Sequence, residues 1–464
     1  MFTPRWRTGL IAAVCPVALA LPLVPAATAS QPTEPAQPTA AAATPTAAAS
    51  NQASKPIRTP RSFTGYGFDR CVTPSSKTMD IWRRTSPFTA VGIYISGRGR
   101  ACPDSAQPYL DPGWVRRQHQ RGWRLLPIHV GLQAPCFQQG DPTPTKPRMS
   151  AQPRTAHRQG RVAADASVAR ARHFGIGKGS TLYLDIEWYN RTMQRCNTAV
   201  LTHIDAWTER LHALGYRSGL YSSASAAIQA VDLARRRNPT RFTWPNQLWF
   251  AWGNRRANLD GKPYLSDSYW RGSKRLHQYQ LNVSVRHGGT AMVIDRNWLS
   301  VGKGARPAPQ TGTCGRRASF PSYPVLERGH VGPRVAAARC LLRRGGWSAA
   351  PVGERFDTRT VRALVRMQRD RDLPRSGRLT KRSWVVLLSY GRRPLVKVGS
   401  DQPAVWRLQR ALRAAGRTAP RTGMFGSATA TAVRGYERSV GQPGNGVVDG
   451  RLWQALANGR VGGG

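Results

Sequence analysis

Between residues 62 and 302, short apolar, β-prone runs alternate with longer stretches in which apolar residues recur every three or four positions. The runs read as strands at 64–69, 90–96, 124–130, 181–187, 217–222, 247–251, 275–280 and 291–295. Helical spacing marks 161–174 and 199–214, where Ile204, Trp207, Leu211 and Leu214 share a face. This alternation predicts an α/β fold, a (β/α)8 TIM-type barrel, with a doubly wound open sheet as the alternative. Beyond residue 319 the pattern becomes a repeat. Gly329, Pro333, Val335 and Leu342 recur in order as Gly399, Pro403, Val405 and Leu412. Phe356, Leu364, Met367, Gly377 and Trp384 recur as Phe425, Val433, Tyr436, Gly446 and Trp453. Each copy reads as three short helices. The expected order is a barrel at 62–302, a Gly/Pro/Arg-rich linker at 303–319, and two small all-α modules at 320–391 and 392–460.

The first thirty residues follow another rule. Arg5 and Arg7 precede an apolar run from Leu10 to Val24 that prolines interrupt, and Ala27-Thr28-Ala29 forms a small-residue cleavage site. This is the pattern of a secretory signal peptide, 1–30. Residues 31–61 are Ala, Thr, Pro, Ser and Gln with almost no large apolar side chain, so a flexible tether is expected there. No other apolar stretch has the length of a membrane span, so stable membrane insertion is not expected.

Export changes how the cysteines read. Without Cys15, six remain: Cys71, Cys102, Cys136, Cys196, Cys314 and Cys340. An even number in an exported chain points to disulfides, for which fifteen pairings exist. Chain order favours Cys71–Cys102, Cys136–Cys196 and Cys314–Cys340. The cysteines form no CxxC, the nine histidines no HExxH, and there is no G-x-S-x-G. No metal, cofactor or Ser/Cys nucleophile is expected. The loop Gly175–Ser180 precedes a strand, so it ends a helix and is no phosphate loop.

The chain has 70 Lys and Arg against 23 Asp and Glu, a net charge of +47. That excess predicts an anionic partner. Export points to wall polymers over nucleic acid, although the charge is spread along the chain and part of the arginine excess fits a GC-rich coding sequence.

Against this background the segment Thr181-Leu182-Tyr183-Leu184-Asp185-Ile186-Glu187-Trp188-Tyr189 stands out. Period-two alternation puts Asp185 and Glu187 on one face, with Leu184, Ile186 and Trp188 on the other. Two close carboxyls drive one pKa up, as general acid work on a glycosidic bond requires. An acid pair held by arginines or a backbone cap is the structural alternative, and a metal site the third. Asp69 and Asp295 stand at the ends of the first and last predicted strands. Tyr94, Tyr221, Trp249, Trp252, Gln278 and Tyr279 lie at or near strand ends, where they would contact a sugar. Core packing is the alternative for Trp249, and a hydrogen-bonded structural role is expected for His277.

These residues carry a resemblance. Gly67-Phe68-Asp69 with Cys71, Val91-Gly92-Ile93-Tyr94-Ile95, Gly131-Leu132-Gln133-Ala134-Pro135-Cys136 and Asp185-x-Glu187 are its first pieces. Gly219-Leu220-Tyr221-Ser222-Ser223, His277-Gln278-Tyr279-Gln280 and Asp295-Arg296-Asn297 complete it. Together they resemble the exported glycoside-hydrolase-like barrels related to Chalaropsis-type lysozymes (muramidases). The resemblance implies Glu187 as general acid and Asp185 as stabiliser of the charged sugar or guide for its N-acetyl group. It implies Asp69 and Asp295 as the floor of the site.

The repeats resemble peptidoglycan-binding domains through Val405-x-x-Leu408-Gln409-x-x-Leu412, Gly423-x-Phe425-Gly426 and Val448-Asp449-Gly450-x-x-Trp453. The first copy departs from that pattern, with Arg339-Cys340 in place of Leu-Gln and Phe356-Asp357 in place of Phe-Gly. A helical spacer pair is the alternative. The expectation is a secreted, wall-associated, monomeric glycosidase acting on peptidoglycan, with anionic wall polymers as further partners. The rival is a silent glycan-binding protein on the same fold.

Overall fold

The computed structural model describes residues 55–138, 140, 145–310, 314 and 318–462; the expected signal peptide and most of the tether lie outside them. Eight strands close into one barrel in sequence order: β1 (Phe63–Asp69), β2 (Ala90–Ser96), β3 (Arg124–Val130), β4 (Thr181–Asp185), β5 (Arg217–Ser223), β6 (Gln247–Ala251), β7 (Lys274–His287) and β8 (Thr290–Val301). The closed barrel rules out the open sheet. Alternate residues fill its interior, among them Phe63, Ala90, Leu126, Tyr183, Trp249, Leu276 and Leu299. The opposite face of the strands packs under helices through Phe68, Val91, Leu125, Leu182, Leu220 and Leu248. The helices are α1 (Ser76–Thr85), α2 (Pro112–Gln120), α3 (Pro153–His173), α4 (Gln194–Ala213) and α5 (Gln229–Arg237).

The last strand differs from a regular (β/α)8 pattern. β1 to β7 run parallel, but β8 is antiparallel to both β7 and β1. The cause is the turn His287-Gly288-Gly289-Thr290. Both glycines have positive φ, 54° and 83°, which is what a two-residue hairpin of primed type needs. Two residues cannot carry a parallel crossover. The hairpin also lengthens both strands beyond the barrel rim, so Asp295 sits where β8 enters the barrel and not where it ends.

All three disulfides join the cysteines that chain order favours. The described end of the expected tether is packed. Ile57 bridges Ile176, and the Thr59 hydroxyl donates to the Leu125 carbonyl at 2.7 Å. Among the described residues no helix is long and apolar enough to cross a membrane.

Six helices follow the barrel: α6 (Pro333–Arg344), α7 (Thr358–Asp370), α8 (Lys381–Ser389), α9 (Ala404–Ala414), α10 (Ser427–Ser439) and α11 (Gly450–Ala457). They form two three-helix modules that share one apolar core. Equivalent side chains do equivalent work in both. Gln368 in the first and Glu437 in the second accept from the Gly377 and Gly446 amides, at 3.0 and 2.8 Å. Trp384 and Trp453 each donate to a proline carbonyl, of Pro324 and Pro394, at 2.8 Å.

Candidate functional site

The carboxyl ends of the parallel strands carry the acids. Asp69 closes β1 and faces inward, in register with Asp295 on β8. Three neighbours donate to its carboxylate: Tyr94 Oη from β2 at 2.9 Å, Asn297 Nδ2 from β8 at 2.6 Å, and Gln278 Nε2 from β7 at 3.2 Å. Gln278 also reaches Asp295 Oδ2 at 3.3 Å and accepts from Tyr221 Oη of β5 at 2.8 Å. The Asn282 amide donates to Asp295 Oδ1 at 2.6 Å. Five strands thus feed one polar layer above the apolar barrel interior.

β4 brings Asp185 to the same layer and stops there. The residue is 4% exposed, and its Oδ1 is buried with no hydrogen-bond partner among the described residues. Glu187 lies past the strand end; its side chain is 38% exposed and pairs with Lys146 Nζ at 2.6 Å. Gln133 straps the two acids together. Its Nε2 donates to the Asp185 carbonyl at 3.2 Å, and its Oε1 accepts from the Glu187 amide at 2.6 Å. A separate groove of about 570 Å³ lies between the end of β3 and α3, lined by His129, Gly131, Arg158 and Arg170 among others, and none of the four candidate acids lines it.

Electrostatics separate the four acids. Burial, reinforced by the charge of Glu187, holds the Asp185 carboxyl well above its ordinary range, against the opposing pull of Lys146. Burial and then Asp295 push Asp69 up to about 7, despite its three hydrogen-bond donors. Asp295 is raised too, chiefly by burial. Burial thus favours the protonated form of the three sealed acids relative to a free carboxyl, while Glu187 sits at the surface as half of an ion pair. Two carboxyls in such different environments can take different roles in proton transfer. The resemblance assigns the proton to Glu187, whereas burial raises the pKa of Asp185 behind it.

Asp69, Asp185, Asp295, Tyr94, Tyr221 and Gln278 come together, with Glu187 at the rim. Three expected sugar contacts do not join them. Trp249 is fully buried inside the barrel, edge-on to Tyr183 and Tyr221, with Nε1 donating to Asn297 Oδ1 at 2.8 Å. It packs the core and holds Asn297 toward Asp69. Tyr279 is buried, one residue out of phase with the inward Gln278. Trp252 packs edge-on against Tyr264 on the outward side, beside His277. The ring nitrogens of His277 lie 2.8 and 2.9 Å from the Asn258 and Trp252 carbonyls, a structural role. Trp188 also departs from expectation: it is 58% exposed, because the strand alternation ends at Asp185. Sequence reasoning missed Lys146, Gln133 and Asn297 as site residues. Asn297 had a signal in its period-two spacing from Asp295, and Gln133 had one in the motif that carries the resemblance. Among the described residues no cluster of three His, Cys, Asp or Glu side chains is arranged for a metal ion.

Comparison with known proteins agrees with this architecture. Residues 80–299 match the family described as Rv2525c-like, glycoside hydrolase-like domain, and residues 401–456 match a peptidoglycan binding domain. Among solved structures, an uncharacterized B. stearothermophilus protein is similar at 21% identity, covering 51% of this chain and 95% of that one, with a TM-score of 0.34. The Mycobacterium tuberculosis Tat-secreted protein Rv2525c, in complex with L-tartrate, is similar at 13% identity over the same shares, also with a TM-score of 0.34. The modular autolysin LytC from Streptococcus pneumoniae is similar at 13% identity, over 51% of this chain and 46% of that one, with a TM-score of 0.31. No curated protein matches. The chain carries an Rv2525c-like, glycoside hydrolase-like domain followed by a peptidoglycan-binding domain.

Proposed function

We propose that the barrel is a secreted, muramidase-like glycoside hydrolase acting on peptidoglycan, and that the helical modules hold it on the wall. One observation carries this reading: a sealed Asp185, its pKa raised by burial, stands two residues from Glu187, the carboxyl that solvent reaches, in the same chain as a peptidoglycan-binding domain. The three disulfides fit an oxidising, extracytoplasmic location.

Glycoside cleavage needs a group that protonates the leaving oxygen and a group that steadies the positive charge on the sugar. Glu187 meets the glycosidic oxygen, because it is the acid at the open rim. An acid must carry its proton to give it away, and the Lys146 ammonium occupies the oxygen that would carry it. Glycan entry therefore displaces Lys146. Asp185, behind Glu187, guides the N-acetyl group, whose carbonyl oxygen takes up the anomeric carbon as the leaving oxygen departs with the Glu187 proton; water then adds at that carbon and returns a proton to Glu187. Asp69 and Asp295, in their shared network, fix the floor.

The test incubates the full chain with purified cell walls beside Glu187→Gln. Loss of a general acid costs about 100-fold or more in rate, so reducing-sugar release should fall by at least that factor. Wall binding with no release by the unmodified chain would leave the second reading, a silent glycan-binding protein. The Lys146–Glu187 ion pair is what favours that reading, since it closes the one accessible acid.

A further inference from the structure

Outside the acid cluster, a cavity of about 510 Å³ opens at the seam between the two helical modules. Arg344 at the end of α6, Arg392 in the connection between modules, and Arg407 and Arg410 on α9 all line it, with Trp406 beside them. Among the described residues no acidic side chain lines it. Among the described residues none of the four guanidinium groups makes an ion pair.

Arg410 is the clearest case. It is 8% exposed, and its buried Nε has no hydrogen-bond partner among the described residues. Arg407 spends its Nη atoms on the Tyr390 and Arg392 carbonyls, and its Nε is likewise buried without a partner. Burial, with the Arg344 charge adding to it, lowers both guanidiniums from their ordinary range, Arg407 to about 10. A buried cation without a counter-ion is costly, and here several cations face one void. Guanidinium forks bind phosphate and carboxylate oxygens in pairs, which would settle both the charge and the unused donors. Trp406 lies beside Arg410, whose guanidinium carbon is 5.9 Å from the centre of its ring.

We propose that this cavity is an oxyanion site for an anionic wall glycopolymer, separate from the glycan that enters the barrel mouth. The proposal rests on the wall location inferred above, but not on turnover. The shared chemistry is an oxyanion carried on a sugar or polyol chain; phosphodiester-linked and uronate polymers are its two sources.

Calorimetric titration of the full chain with a purified poly(glycerol phosphate), and separately with polygalacturonate, tests it at fixed salt. Arg344→Gln/Arg392→Gln alters two exposed rim residues, so folding is spared, and Arg410→Gln probes the floor. Arg359→Gln/Arg362→Gln on α7 removes the same charge from an exposed face elsewhere. Charge-assisted hydrogen bonds of this kind predict about tenfold weaker binding for each cavity variant, against less than about twofold for the control. The polymer whose binding falls in this way identifies the source. Equal loss in the control, or no loss in the cavity variants, overturns the proposal, as does failure of the unmodified chain to bind either polymer. Binding to peptidoglycan stripped of anionic polymer should be unchanged in the cavity variants; a matching loss there would also overturn it. Polymer binding without any release of reducing sugar would leave this site standing while the hydrolase reading fell.

Discussion

Asp185 couples the candidate chemistry to stability. A carboxyl whose pKa is raised by folding keeps its proton at pH values where the unfolded chain has lost it. Native stability then falls as pH rises, starting near the unfolded value of 3.8 for Asp185 and Asp69. For Asp69 the fall ends near its folded value of about 7. Glu437 in the second module, raised to about 7 by burial, acts in the same direction. Asp185→Asn removes one contributor and fits where Oδ1 has no partner to lose. Urea unfolding should show the variant more stable by about 1–3 kcal/mol at pH 8 and equal to the parent at pH 4, while wall hydrolysis is lost. Lys146→Met should behave otherwise. Its partner Glu187 is more than a third exposed, so the ion pair is worth less than about 1 kcal/mol. The ammonium also pulls the Asp185 carboxyl down, so its removal should send that carboxyl higher still. The carboxyl carbon shift of Asp185, followed by NMR through a pH titration, reads this directly; no upward movement would contradict the electrostatic picture.

At the scale of elements, the β7–β8 hairpin gives the sharpest contrast between two neighbouring positions. Gly289 has φ of 83° and open space where a Cβ would stand, so Gly289→Ala should cost only the backbone penalty, about 1 kcal/mol. At Gly288 the same Cβ would also come within 2.6 Å of Ile81 Cγ2 on α1. Gly288→Ala should therefore destabilise more, and comparing the two thermal midpoints separates strain from crowding. The same hairpin shows what was readable in the sequence. Apolar runs located the strands, but alternation says nothing of strand direction; only Gly288-Gly289 did, and both the antiparallel β8 and the rim position of Asp295 follow from it. Alternation also failed where a strand stopped. β4 ends at Asp185, so Trp188 turned outward and Glu187 reached solvent by leaving the sheet. Strands buried on both faces do not reveal which face is the barrel interior, hence Trp249 in the core and Tyr279 on the outer side. Lys146 and Gln133 lie in a connection with no period to read.

For the whole molecule, the helical modules are seated on the barrel end opposite the acids. Lys397 is 1% exposed, and its Nζ donates to the carbonyls of Arg83, Ser86 and Phe88 at 2.8, 2.9 and 2.5 Å, while burial and then the Arg83 charge lower its pKa well below the ordinary range. Those carbonyls belong to the last turn of α1 and the segment after it, where a helix leaves acceptors unpaired and favours a cation. Three donors meet three acceptors. Gly399 makes the second close contact: a Cβ there would stand 2.2 Å from the Phe63 ring and 2.8 Å from the Thr64 carbonyl oxygen. Ala305 donates to Thr64 Oγ1 and Ala308 to the Gly423 carbonyl, each at 2.9 Å, so the connecting segment is pinned as well. Phe63 begins the strand that Asp69 ends, which puts this interface about 20 Å below the candidate site. A barrel held this way cannot swing freely around the modules; its mouth opens at the end away from them. Cooperative unfolding should report the coupling. Calorimetry of the parent should give one transition, and Lys397→Met, which strands three carbonyls at about 1–3 kcal/mol each, should split it into two. Gly399→Ala should split it likewise, whereas Arg359→Gln/Arg362→Gln should not. A single unshifted transition in both interface variants would mean that the modules do not stabilise the barrel, and the fixed orientation of the mouth would have to be given up.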